Sequence, residues 1–326
     1  MKKTLLLYLF LIIVILGFTG CNKLDTLQKE PKIIKFSYQD GTPALTAAKL
    51  AKENPIIDEN ITIEYEMEKS PDLLVTKILK GEADIAIVPS NLAAQAFNKE
   101  LPYKIVGTSV WGSLYLASTE DIKDFEELKD KEIYTFGKGL TPDIVLRYVL
   151  SKNGIVPDKN VKITYLNAAS EVGPIFISGK SNLAVLAEPL LTTVTMKKQD
   201  TKVIFDLNQE WANATGVTKG YPQASLIIKE DLIKNNIEFV KEFIDIYEES
   251  RKWAKENGEE LGKYAEELGI SVAKETIEKG IIWTNIESFD IRDGKEEYNA
   301  YYGAILDFAP DFIGGKMPDE KIYFER

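Results

Sequence analysis

The sequence predicts an α/β protein made of two similar halves. The first observation is residues 79–97, LKGEADIAIVPSNLAAQAF, which join a helix end, a short apolar strand and a new helix start. The second is residues 177–194, ISGKSNLAVLAEPLLTTV, which repeat the order of helix end, glycine, apolar strand, proline and helix. The glycine-to-proline spacing is eight positions in one segment and ten in the other, which indicates a recurring supersecondary unit and not a sequence repeat. Two such units predict two α/β halves.

The first of these units indicates where a ligand would bind. The apolar run Ile85–Val88 is uninterrupted, which is typical of a parallel strand covered on both faces. Ser90 or Asn91 is predicted to cap a helix that begins at Leu92. The free N–H groups of that helix would point beyond the carboxyl end of the strand, where ligands bind in open α/β sheets. Two halves facing one another predict a cleft lined by helix N-termini, which is a binding architecture before a catalytic one.

The composition excludes several classes of function. The chain has 326 residues, enough for two domains after an N-terminal segment, and its net charge of −11 argues against a nucleic-acid partner. It has no histidine, which excludes histidine acid–base chemistry, histidine-bound metals and Ser-His-Asp triads. The single cysteine, Cys21, excludes disulfides, thiolate zinc sites and a catalytic thiol in the folded body. We therefore predict no catalytic site, no metal and no cofactor.

The N-terminus has the pattern of a signal peptide. Two lysines precede the apolar run Leu5–Leu16, which is short for a membrane span of ~20 residues and is followed by small residues. Residues 18–21, FTGC, resemble the bacterial lipobox, whose cysteine receives a diacylglyceryl group, although phenylalanine stands where leucine is usual. A buried cysteine in a retained anchor helix is the alternative. We predict a signal peptide over 1–20, lipidation of Cys21 and a polar tether over 21–31.

The first half opens with two predicted strands, Ile33–Tyr38 and Ile61–Tyr65, and a helix between them. In the intervening segment GTPALTAAKLAKEN, Gly41 permits a close approach of the backbone. Thr42 is a candidate N-cap, and Pro43 occupies the first helical position, where its missing N–H is no disadvantage. This turn is therefore predicted to end a strand and start a helix at the cleft.

The first crossing between the halves is predicted at residues 107–112. A strand begins at Lys104–Val106, is interrupted by GTSVWG, in which Trp111 stands between small residues, and resumes as SLYLAS. The return strand is predicted at Leu226–Lys229. The predicted lobes are 32–112 plus 225–326 for lobe 1 and 113–224 for lobe 2.

The second half begins with a predicted strand, Glu132–Phe136, followed by the loop GKGL at 137–140. Thr141 and Pro142 repeat the N-cap and first-position proline of the first half. The loop lacks the spacing of a P-loop or a Rossmann motif. It is either a tight strand-to-helix turn or a ligand contact through Gly139 and Thr141, because turns at a strand's carboxyl end often contribute amide donors.

The C-terminal part is predicted to be helical. Residues 229–279 are continuously helical and charged, with an apolar stripe from Ile237 to Tyr247, and 301–308 predicts one more helix. We expect the helices of 229–279 to pack on the first half.

Together these segments resemble the solute-binding lipoproteins of ABC importers, in particular the group that includes nitrate, taurine, alkanesulfonate and pyrimidine-precursor binding proteins. The matching segments are the opening strand with its Gly-Thr-Pro turn, KGEADIAIVPSNLAA, GKGLTPDIVLRYVLSKNGI, AVLAEPLLT and FIGGKMPDEKIYF, over most of 32–326. The resemblance implies a type II periplasmic-binding fold, with two lobes joined by two crossings that close on one small molecule. It also implies a monomer held by its lipid on the extracytoplasmic face of the cell membrane, which delivers its ligand to a permease with its ATPase.

The ligand-binding positions of that group fall here on turns, strand ends and crossings. They are Gly41, Thr42, Pro43, Ser90, Asn91, Trp111, Gly112, Gly139, Thr141, Glu188 and Tyr221.

Several of these residues have two readings. Trp111 is a stacking wall or apolar lid for the ligand, or it packs between the lobes. Glu188 pairs with an amine or an amide N–H of the ligand, or it caps its own helix. Tyr221 contacts the ligand or packs at the hinge. Arg147 is the sole arginine in the portion of the halves that is predicted to form the cleft, and it lies beyond the first turn of its helix, so an arginine clamp for a carboxylate is not evident. Two classes of ligand remain: a small anion held by helix amides, or an uncharged heterocycle held by aromatic rings.

Three other functions compete with transport. An enzyme of the same fold is disfavoured by lipid export, and a histidine-dependent enzyme is further disfavoured by the absence of histidine. A lipid-anchored sensor would use the same closing cleft. A structural surface protein is disfavoured because nothing in the chain is repetitive or adhesive.

Overall fold

The computed structural model describes residues 32–326. The predicted signal peptide, the predicted lipidation of Cys21 and the predicted tether lie outside the described residues.

The described chain contains ten strands and twelve α-helices. The strands are β1 (Lys32–Gln39), β2 (Ile61–Glu68), β3 (Ile85–Pro89), β4 (Tyr103–Trp111), β5 (Leu114–Ser118), β6 (Glu132–Phe136), β7 (Lys162–Leu166), β8 (Leu183–Ala187), β9 (Lys202–Asp206) and β10 (Pro222–Lys229). The helices are α1 (Thr42–Glu53), α2 (Pro71–Leu79), α3 (Ser90–Asn98), α4 (Thr141–Lys152), α5 (Ala169–Ile177), α6 (Leu190–Lys197), α7 (Leu207–Thr215), α8 (Glu230–Asn235), α9 (Ile237–Glu256), α10 (Gly258–Leu268), α11 (Lys274–Gly280) and α12 (Lys295–Phe308).

The first sheet has the strand order β2-β1-β3-β10-β4. β1 is parallel to β2 and β3, whereas β10 is antiparallel to β3 and β4. Successive side chains of a strand point to opposite faces, so Ile85 and Ile87 of β3 pack in one core with α1 and α9, while Ala86 and Val88 pack in the other. This confirms the predicted burial of the apolar run on both faces.

The second sheet has the strand order β7-β6-β8-β5-β9. β6 is parallel to β7 and β8, and β5 is antiparallel to β8 and β9. β9 is absent from the sequence prediction, because it is an edge strand whose apolar run is only three residues long and is not buried. Two five-stranded sheets with surrounding helices confirm the predicted α/β class.

The chain passes between the sheets twice. It leaves the first sheet at Trp111, the end of β4, and enters the second at Leu114. It returns between Thr215, the end of α7, and Pro222, the start of β10. The division into lobes with boundaries after residues 112 and 224 stays a prediction.

The predicted interruption of β4 at residues 107–112 is wrong. β4 continues through this small and polar segment to Trp111, paired with β10 across three register shifts. The buried hydroxyls are tolerated because they have partners: Ser109 Oγ lies 2.6 Å from the hydroxyl of Tyr247.

The C-terminal segment contains several helices, and residues 229–279 are mostly helical as predicted. It is divided into α8, α9, α10 and α11, with a break at Gly269, whose φ is 70°. The predicted apolar stripe of α9 is buried against the first sheet and α1. α11 packs on α10, with Ile277 in the core of the first sheet, and it also contacts α6 beside the second sheet. No helix within residues 32–326 is both long and apolar enough to cross a bilayer.

Candidate ligand-binding site

A cavity lies between the two sheets, at the carboxyl ends of β1, β3, β6 and β8. Its volume is about 90 Å³, which is enough for one small solute. From the first sheet and its helices it is lined by Gln39, Asp40, Gly41, Thr42, Pro43, Lys69, Pro71, Ile87, Pro89, Gln223, Ala224, Ser271 and Val272. From the second it is lined by Phe136, Gly137, Leu140, Thr141, Pro142, Ala168, Ala169, Ser170, Ala187, Glu188, Pro189 and Leu190.

Helix starts form much of this lining. The first residues of α1, α2, α4, α5 and α6 all lie in it. The turn from β1 to α1 needs glycine, because Gly41 has a φ of 103°. The sequence predicted that helix N-termini converge on a cleft, and the structure confirms this prediction.

The structure brings together five of the eleven predicted ligand-binding residues. Gly41, Thr42, Pro43, Thr141 and Glu188 line the cavity. Ser90, Asn91, Trp111, Gly112, Gly139 and Tyr221 lie outside its lining. Contact with a ligand stays a prediction for all eleven.

Thr42 and Thr141 begin α1 and α4, but the predicted N-cap role is wrong for both, since neither hydroxyl accepts a capping hydrogen bond. The Thr42 hydroxyl donates instead to the backbone carbonyl of Glu188, at 2.7 Å. The Thr141 hydroxyl donates to the backbone carbonyl of Gln223, at 3.2 Å. Both bonds join segments of different sheets, so the two residues fasten the halves to one another beside the cavity.

Ser90 and Asn91 also do not cap α3, because the helix starts at Ser90 itself, directly after Pro89. The Ser90 hydroxyl lies 2.7 Å from that of Ser225 on β10. The Asn91 side-chain amide donates to the carbonyl of Gly139, at 3.0 Å, in the loop before α4. These residues join segments around the cavity without lining it.

Trp111, Gly112 and Tyr221 are packed at the passage between the sheets. Trp111 is 2% exposed, and its indole N–H donates to the carbonyl of Ser288, at 2.8 Å. The fully buried ring of Tyr221 lies 5.7 Å from that of Trp211, measured between centroids. For Trp111 and Tyr221, this placement corresponds to packing between the lobes or at the hinge, which the sequence leaves open as the alternative to ligand contact.

Lys69 is the only cation in the described lining, and its charge is already matched. Its ammonium lies 3.0 Å from Asp40 Oδ2, 2.6 Å from the carbonyl of Gly269 and 3.3 Å from the hydroxyl of Ser271. An ammonium group has three N–H bonds, and each of these has an acceptor. The other Asp40 oxygen accepts the backbone N–H groups of Gly41 and Ser271.

Glu188 has no cationic partner within residues 32–326. Its Oε2 accepts the backbone N–H of Thr192 at 3.2 Å and the hydroxyl of the same residue at 3.0 Å. Burial raises the pKa of the Glu188 carboxyl, and the two hydrogen bonds from Thr192 oppose that rise. The predicted capping of its own helix is therefore observed through one oxygen, and the other oxygen has no partner among the described residues.

Several lining residues were not predicted from the sequence. Phe136, the only aromatic ring in the described lining, ends the predicted strand just before the GKGL loop, so its position was a usable signal. Asp40 likewise follows the first predicted strand. Ser271 and Val272 enter from the loop between α10 and α11, and nothing local in the sequence connects them to the cavity.

Comparisons with known proteins support this architecture. The family model described as NMT1/THI5 like matches residues 57–261. The protein YtlA of Bacillus subtilis (strain 168) is 21% identical over 248 residues, which cover 74% of this chain and 71% of that protein.

Two solved structures have the same fold. An ABC transporter structure from Parabacteroides distasonis has a TM-score of 0.73 and 28% identity, covering 90% of this chain and 99% of that one. The alkanesulfonate-binding protein SsuA from Xanthomonas axonopodis pv. citri, bound to MOPS, has a TM-score of 0.70 and 15% identity, covering 91% and 99%. These findings confirm the predicted resemblance to ABC-type solute-binding proteins and the predicted fold. Since the family model matches more than half of its length, the chain belongs to the NMT1/THI5-like family.

Proposed function

We propose that this protein is the extracytoplasmic solute-binding component of an ABC importer, anchored to the cell membrane by a lipid on Cys21. The observation that carries the proposal is the cavity, whose walls come from strand ends of both sheets. The family relationship and the two structural neighbours support the same role. A permease and its ATPase would be the partners, and the protein would act as a monomer.

The ligand contacts of this proposal are Gly41, Thr42, Pro43, Thr141 and Glu188, which line the cavity. No neighbour considered above is named as an enzyme, which supports a binding role and not a catalytic one. The solute would be released from the site without chemical change.

Capture would work by closure of the two halves around the solute. Two hydrogen bonds beside the cavity join segments of different sheets: Thr42 to the carbonyl of Glu188 at 2.7 Å, and Thr141 to the carbonyl of Gln223 at 3.2 Å. Such bonds can break in an open form and re-form in a closed one. A ligand that contacts both halves then binds the closed form better and shifts the population toward it.

Native mass spectrometry of a soluble form starting at Asn22, purified without denaturation, tests the proposal. We expect a discrete adduct of one unmodified small molecule per chain. The intact mass of full-length protein extracted from membranes should show acylated Cys21 as the new N-terminus. A chain that carries no adduct and gains no thermal stability from any member of a broad solute panel would contradict the proposal.

We expect Thr42→Val to weaken ligand binding by roughly fivefold. Valine keeps the shape but removes the buried hydrogen bond to Glu188, which contributes about 1 kcal/mol to the closed form. Isothermal titration with the molecule identified by mass spectrometry measures the change.

The matched control is Thr62→Val, an exposed position on β2, which should bind as the wild type does. If Thr42→Val and Thr62→Val bound the ligand with equal affinity, the hydrogen bond from Thr42 to Glu188 would not contribute to closure.

A further inference from the structure

We propose that the cavity takes a small, mainly apolar ligand bearing a nitrogen that donates N–H to Glu188, and that it excludes sulfonates, carboxylates and nitrate. This inference rests on the proposed function and specifies its ligand. It chooses between the two classes of ligand that the sequence leaves open.

The cavity has no cation available for an anion. All three N–H groups of Lys69 have protein acceptors. Arg147 lies outside the lining and is bound to Asp143 and Asp158, at 2.7 and 2.6 Å. An anionic solute would therefore enter without a counter-charge.

The helix N-termini, which usually attract anions, already have carboxylates of the protein beside them, and these carboxylates accept N–H groups in or just before the first helical turns. Asp40 accepts the N–H of Gly41 at the start of α1, at 2.9 Å. Asp143 accepts the N–H of Gly139 before α4, at 2.8 Å.

The same arrangement recurs at the two other helices of the second sheet that reach the cavity. Glu171 accepts the N–H of Asn167 before α5, at 3.1 Å. Glu188 accepts the N–H of Thr192 in α6, at 3.2 Å. Four helix starts around the cavity thus carry an internal anion, and a second anion beside them would meet like charge.

Glu188 is the ionisable residue of the described lining whose side chain keeps a free oxygen. It is 5% exposed, it lines the cavity, and its Oε1 has no partner within residues 32–326. Oε1 is not a fully buried atom, so a ligand N–H would replace water there with a charge-assisted hydrogen bond. The remaining walls are mostly apolar, including Ile87, Phe136, Leu140 and Val272, and they suit a compact ring or branched carbon skeleton.

The test compares benzylamine with benzenesulfonate, and cyclohexylmethylamine with cyclohexanesulfonate, by ligand-observed NMR titration against the soluble chain starting at Asn22. We expect the amines to bind and the sulfonates to show no saturable binding. Glu188→Gln should weaken amine binding by about 10- to 100-fold, while keeping an oxygen acceptor for Thr192. Glu127→Gln, an exposed glutamate remote from the cavity lining, should leave amine binding unchanged.

Sulfonates that bind as tightly as the amines, or a Glu188→Gln variant with unchanged amine affinity, would overturn the inference while leaving the proposed function intact. If no probe binds, the identity of the co-purified molecule tests the inference. An anion without N–H groups would overturn the inference, and a molecule with a donor nitrogen would support it. The absence of both probe binding and any adduct would overturn the proposed function itself.

Discussion

Replacing Ala169 by tryptophan is expected to abolish ligand binding and leave the fold intact. Ala169 is the first residue of α5, is only partly buried and lines the cavity. An indole at this position would occupy most of the cavity, whose volume is about 90 Å³. We expect the dissociation constant to rise more than ~100-fold, equivalent to more than about 2.7 kcal/mol, in titrations with the co-purified molecule or benzylamine.

The control for this variant lies at the other end of the same helix. Ser178→Trp adds an indole at an exposed position just after α5 and should keep wild-type affinity. Thermal unfolding without ligand should give similar midpoints for both variants. Wild-type affinity in a folded Ala169→Trp variant would place the ligand elsewhere.

Gly112→Ala is expected to destabilise the protein by about 3 kcal/mol, because it overpacks the passage from β4 to β5. A Cβ at this position would lie 2.1 Å from Asn208 Oδ1 and 2.7 Å from a ring carbon of Tyr221. Asn208 cannot turn away freely, since Oδ1 accepts the N–H of Tyr221 and Nδ2 donates to the carbonyl of Lys219. Denaturant unfolding of the soluble form measures the loss.

Gly303→Ala is the matched control for this substitution. A Cβ there meets nothing within 4 Å, and the position lies inside α12, so alanine should be neutral or stabilising by up to ~1 kcal/mol. If Gly112→Ala lost ligand affinity but kept full stability, Gly112 would be a ligand contact and not a packing residue.

The sequence predicted the parts of the fold that depend on local pattern. The apolar run of β3 and the glycine-threonine-proline turn before α1 are readable because strand burial and helix starts depend on neighbouring residues. Edge strand β9 was missed, since its apolar run is only three residues long.

The site was predictable only in part, because much of it depends on contacts distant in sequence. Thr42 and Thr141 were placed correctly at helix starts, but their hydroxyls reach carbonyls 146 and 82 positions away and do not cap their helices. Val272 reaches the cavity from a loop that no local motif marks. Glu188 fills one of the two roles that the sequence allowed, since one oxygen accepts hydrogen bonds from its own helix; its contact with a ligand stays a prediction.

The distance between the two halves, measured with and without ligand, tests capture by closure most directly. The soluble form starting at Asn22 has no cysteine, so Asp72→Cys and Glu171→Cys would accept one spin label on each side of the cavity. Both positions are exposed and each adjoins a residue of the lining. We predict that the co-purified molecule shortens the inter-label distance in pulsed electron resonance and that Ala169→Trp abolishes the shortening. An unchanged distance in a sample whose ligand binding is demonstrated by titration would contradict capture by closure.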